Sequence, residues 1–178
     1  MGILQTFRLT SFFVVLTAGL VCLGQANGPT SAPQDEKETA STMHAKGPFE
    51  VKLAPLDSPE LPQGVISRMS IEKTFHGDFE GTSKGEMLAS GSGAKGSSGG
   101  YVALEQVSGT LGGRKGTFVL QHNATMTNGV PDLSIIVVPG SGTDQLAGLS
   151  GKMNIIITAG KHSYDFAYSL PEGGSTVH

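Results

Sequence analysis

The chain has 178 residues, room for one domain with extensions. A formal charge of −3 without a basic stripe excludes a phosphate-gripping nucleic-acid surface, and the absence of Trp removes the usual platform for stacking bases. Cys22 is the lone cysteine, which excludes a disulfide framework and a thiolate metal site.

In chain order, the first feature is an uncharged apolar run at 9–23 (LTSFFVVLTAGLVCL), preceded by Arg8 and followed by Gly24, Gln25 and Ala26. A short positive end, an apolar middle and small residues at the exit predict a secretory signal peptide at 1–26, cleaved after Ala26. The alternative is a membrane anchor, but the run falls short of the roughly 20 apolar residues a span prefers, and no basic cluster follows it. Cleavage removes Arg8 and Cys22, taking the formal charge to about −4 by subtraction and leaving no cysteine. The expected location is secreted or periplasmic, with no stable membrane span after cleavage.

Residues 27–46 are mostly Pro, Ser, Thr, Gln and charged, and bury too little to offset their ordering entropy, so they read as a disordered tether. Order is expected from Gly47 to Pro171, with 172–178 a disordered tail. Phe49 to Leu53 alternates apolar with charged, the pattern of a half-buried strand. Pro55, Pro59 and Pro62 make a loop. Met69, Ile71 and Phe75 share the apolar face of the next strand, which Lys73 interrupts once. A third strand, 79–88, carries Gly81 and Gly85, suggesting bulges or close backbone approach. The glycine-rich stretch 90–100 reads as a flexible loop or lid; it lacks the Gly-Lys-Ser/Thr ending of a phosphate loop. Strands follow at 101–107, at 116–127 after a turn within 112–116, at 133–138, at 152–158 and at 162–170.

About eight short strands without helical periodicity predict an all-β fold, a small closed antiparallel β-barrel. Closure removes the exposed edges of a free sheet. At eight strands the interior either fills with side chains or holds one small ligand.

Three stretches resemble the bacterial domain of unknown function 3224: 109–122 (GTLGGRKGTFVLQH), 142–153 (GTDQLAGLSGKM) and 75–85 (FHGDFEGTSKG). The resemblance spans about 49–170. It implies a small antiparallel barrel similar to allene oxide cyclase and the dirigent proteins, relatives that bind apolar or aromatic small molecules, steer a cyclisation or coupling, and often assemble. No catalytic residue of the cyclase can be placed on this chain, and no cofactor is implied.

The strand at 116–127 carries one polar exception, His122, on a face shared by Phe118, Leu120, Ala124 and Met126. A turn centred between Gly113 and Arg114 sets Glu105 directly opposite His122, with Tyr101, Ala103 and Val107 on the same face. Cross-strand Cβ atoms lie about 4.5–5.5 Å apart, close enough for a hydrogen bond. A slip by one residue would instead send Glu105 outside. The pair reads either as acid and base in a cavity or as a satisfied polar pair that fixes register. Tyr101, Phe118, Leu120, Tyr164 and Phe166 are candidates for the pocket lining. His76, His122 and His162 match no metal-ligand spacing, and no metal is expected. Asn123-Ala-Thr125 is a glycosylation sequon, relevant only in a host that glycosylates secreted proteins. No Gly-x-Ser-x-Gly elbow supports a serine hydrolase. Three functions stay open: an exported barrel binding a small, partly apolar ligand; a cyclase- or isomerase-like enzyme using Glu105 and His122; and a filled structural or partner-binding barrel. A cavity of roughly 300 Å³ or more separates the first two from the third.

Overall fold

The computed structural model describes residues 41–62 and 64–171. The signal segment, residues 27–40 of the tether and the tail at 172–178 lie outside the described residues.

Eight strands run in order as β1 (Met43–Leu56), β2 (Ser67–Phe75), β3 (Phe79–Gly91), β4 (Gly99–Leu111), β5 (Arg114–Thr127), β6 (Val130–Val137), β7 (Ser150–Thr158) and β8 (Lys161–Ser169). Each pairs antiparallel with its neighbour, and β1 pairs with both β2 and β8, closing the barrel. β1 begins at Met43 rather than at Gly47. Met43 and Ala45 lie opposite Tyr168 and Phe166, and Ala45 is buried. The edge of β8 draws these residues into the ladder, which their polar local composition does not reveal.

The β4–β5 register differs from the expected one by two residues. Gly112 and Gly113 form the loop, with φ of 56° and 80°, so Leu111 pairs with Arg114, and Gly116 lies inside the strand. Positive φ at both central residues matches the strand twist of a tight hairpin and suits glycine. A two-residue shift preserves which face each side chain takes. Gly116 has a separate reason to be glycine: a Cβ there would strike the Thr143 carbonyl oxygen and the Leu146 side chain.

The β6–β7 connection holds a 3₁₀ turn at Asp144–Leu146 and lies along the first part of β5. The Val138 N–H donates to the Val119 carbonyl (2.9 Å), the Thr143 N–H donates to the Thr117 carbonyl (2.9 Å), and the Thr117 N–H donates to the Thr143 hydroxyl (3.0 Å). β6 and β7 themselves share a single pair, Ile136 with Lys152.

One end of the barrel is packed with rings. Phe75, Phe79, Phe118 and Phe166 contact in series at centroid separations of 5.3, 5.9 and 5.8 Å, and Tyr164 meets Phe75 edge-on at 5.7 Å. Each buried ring removes enough apolar surface from water to contribute roughly 1.5–3 kcal/mol. The Phe79 N–H donates to the Tyr164 hydroxyl (3.0 Å), which donates to the His76 carbonyl (3.0 Å), pinning the β2–β3 turn across that end. Leu146 and Leu149 are buried against the same core.

Candidate functional site

Four consecutive strands each turn one polar side chain into the middle of the barrel: Lys73 from β2, Ser83 from β3, Glu105 from β4 and His122 from β5. All are buried; Glu105 is 0% and His122 2% exposed. Glu105 lies opposite Leu120 and His122 opposite Ala103, so the two are diagonal rather than directly paired. They still approach, with His122 Nε2 3.1 Å from Glu105 Oε2. That approach is not aligned as a hydrogen bond, and Nε2 has no hydrogen-bond partner among the described residues.

The principal partner of Glu105 is Lys73, whose Nζ donates to Oε2 at 2.6 Å. The Ser83 hydroxyl donates to Oε1 in a short hydrogen bond. The Lys73 ammonium also sits 5.6 Å from the Phe49 ring centroid and 5.9 Å from that of Phe75. Ring faces and a carboxylate together replace part of the water the ammonium gives up. Burial alone would raise the Glu105 carboxyl. The polar proximity of His122, the Lys73 charge, and the Lys73 and Ser83 hydrogen bonds outweigh it and hold the group at about 2, below its ordinary 4.5. The carboxylate is therefore ionised and fully engaged.

Lys73 was legible only as an interruption in the apolar face of its strand. Ser83 carried no signal, because its role depends on cross-strand pairing with Lys73.

Toward the other end the interior opens. A cavity of about 590 Å³ is lined by Met87, Tyr101, Ala124, Met126, Leu133 and Ile157 and roofed by the β3–β4 loop. Of the predicted lining residues, Tyr101 is on its wall. Phe118, Leu120, Tyr164 and Phe166 are not: at 0–1% exposure they fill the packed end. Tyr101 stands between the cavity and the buried polar group, its ring centroid 6.3 Å from that of His122. Burial, then the Glu105 charge, pushes its phenol up, so the hydroxyl stays protonated and is a donor at neutral pH. Glu105, Lys73 and Ser83 do not line the cavity.

The other histidines lie elsewhere. His76 bridges Glu50 (3.2 Å) and Glu80 (3.3 Å) on the surface, and His162 packs on Phe49 at 5.3 Å. Among the described residues no cluster of three His, Cys, Asp or Glu is placed to hold a metal. Asn123 of the sequon is exposed on β5.

The family described as protein of unknown function (DUF3224) matches residues 45–168. A crystal structure of a protein of unknown function from that family, from Shewanella oneidensis MR-1, is 44% identical with a TM-score of 0.68, covering 75% of this chain and 100% of that one. No curated protein matches the chain.

Proposed function

We propose that this chain, which belongs to the DUF3224 family, is an exported barrel that binds one small, largely apolar molecule. The cavity of about 590 Å³ at the open end carries the reading. Its volume falls within the roughly 300–1,000 Å³ of small-molecule pockets, and its wall is mainly apolar, with the Tyr101 phenol as a donor and serines and Lys95 along the β3–β4 loop. Export rests on the apolar run ending before Ala26.

Catalysis by Glu105 and His122 is the weaker reading. A carboxylate held at about 2, with Lys73 and Ser83 on its oxygens, is a poor base at neutral pH. It also stands back from the cavity wall. The polar group fits a register-fixing role, joining four strands at the level where the packed end gives way to the hollow one.

The test is titration with the neutral dye N-phenylnaphthylamine. Saturable, blue-shifted fluorescence is expected, lost in Ala124→Trp, which fills the cavity, while cooperative unfolding is retained. An intact barrel that shows no saturable signal, or an Ala124→Trp variant that binds as well as the parent, would overturn the reading.

A further inference from the structure

We infer that the molecule taken into this cavity is a monoanion with an apolar, preferably aromatic, body, oriented with its charge outward against Lys95. The inference rests on the cavity reading above and adds the chemistry of the ligand.

Among the described residues lining the cavity, Lys95 is the one charged side chain, and no carboxylate shares that wall. It sits on the β3–β4 loop, which is fastened over the mouth at two points. The Asn128 N–H donates to the Ser98 hydroxyl (3.0 Å) and the Gly129 N–H to the Ser97 carbonyl (3.1 Å). Lys95 is thereby held at the rim, although its own side chain is exposed and makes no ion pair among the described residues. Lys46, Arg68, Lys73 and Lys84 have carboxylate partners, whereas Lys52, Lys115, Lys152, Lys161 and Arg114, like Lys95, make no ion pair among the described residues; of these unpaired cations Lys95 is the one that lines the cavity. On a chain of net charge −3, an unpaired cation that is the one charged group among the described residues of a mainly apolar cavity selects against cations and for anions.

Desolvation fixes the orientation. An anion drawn deep among apolar groups would lose its hydration without a partner, whereas at the rim it keeps water and gains the ammonium. The body then lies against Met87, Met126 and the Tyr101 ring. Thioethers and a ring face favour an aromatic group over an aliphatic one of equal size.

The experiment compares naphthylacetate with its neutral counterpart naphthylethanol on the full barrel, Lys95→Gln and Lys95→Glu, at low and high salt. An ion pair at an exposed rim predicts naphthylacetate binding about threefold or more tighter at low salt, the gap narrowing as salt rises. Lys95→Gln should equalise the two, and Lys95→Glu should favour the alcohol. Equal affinity of both compounds for the parent chain overturns the anion inference while leaving the cavity reading intact. Binding of neither overturns both. A preference for the acid that survives in Lys95→Glu removes Lys95 as its cause and also overturns the inference.

Discussion

Phe118 and Ala124 stand on the same strand and face the same interior, yet one is locked among rings and the other borders empty space. Strand number and closure are common to both halves of the barrel, so neither decides whether the inside is solid. Side-chain volume does. Where Phe75, Phe79, Phe118, Tyr164 and Phe166 converge, nothing else fits; where Ala89, Ala124 and glycines line the wall, a cavity remains. The polar group around Glu105 lies between the two regimes.

Cutting into each half should therefore have unequal consequences. Phe118→Ala removes a ring from dense packing and should cost about 3–5 kcal/mol in chemical denaturation, whereas Met87→Ala, beside existing space, should cost less than about 1 kcal/mol. A similar cost for both would erase the distinction. At the boundary, Lys73→Met leaves the Glu105 charge buried without its cation and should cost about 3–5 kcal/mol. Replacing Lys73 and Glu105 together by apolar residues should cost less than the two single changes added.

The same carboxylate links stability to pH. Its folded value of about 2 lies below the ordinary 4.5, so its contribution is fully present above 4.5 and disappears as pH falls toward 2. The stability difference between the parent chain and Glu105→Gln, followed by urea unfolding, should shrink by on the order of a few kcal/mol across that window. A constant difference would mean that the carboxylate is not held ionised. A double-mutant cycle of Glu105→Gln and His122→Phe should show coupling above about 0.5 kcal/mol, as expected for groups in contact; additive effects would separate them. The smallest effect belongs to the cavity wall. Tyr101→Phe should change stability by less than about 0.5 kcal/mol, and any loss of dye affinity it causes should report the hydroxyl alone.

The strands at 133–138 and 152–158 were legible as β-branched runs, whereas most of the eight, with their buried faces, were legible because a period of two survives along them. Glu105 and His122 could be assigned to one interior face for the same reason. The register between them was not legible, since the stretch from Gly112 to Gly116 offers several two-residue turns, and the choice among them depends on positive φ at Gly112 and Gly113. The extent of the cavity was equally hidden. Phe118 and Tyr164 were as eligible for a pocket wall as Tyr101 until closure decided which end held the rings. The full set of partners around Glu105 needed three strand pairings at once, which one strand's pattern cannot supply.

The single pair Ile136–Lys152 between β6 and β7 bears on how this barrel comes apart. Every other ladder must break many hydrogen bonds in concert, while this one can part by local fluctuation. Amide exchange should accordingly be fastest along the facing edges of β6 and β7. An opened β7 would present Ile155, Ile156 and Ile157 on an unpaired edge, the composition that templates strand addition from another chain. Closure keeps that edge covered only as long as its least secured joint holds, and conditions that loosen the joint should promote fibril formation before the ring-packed end has unfolded.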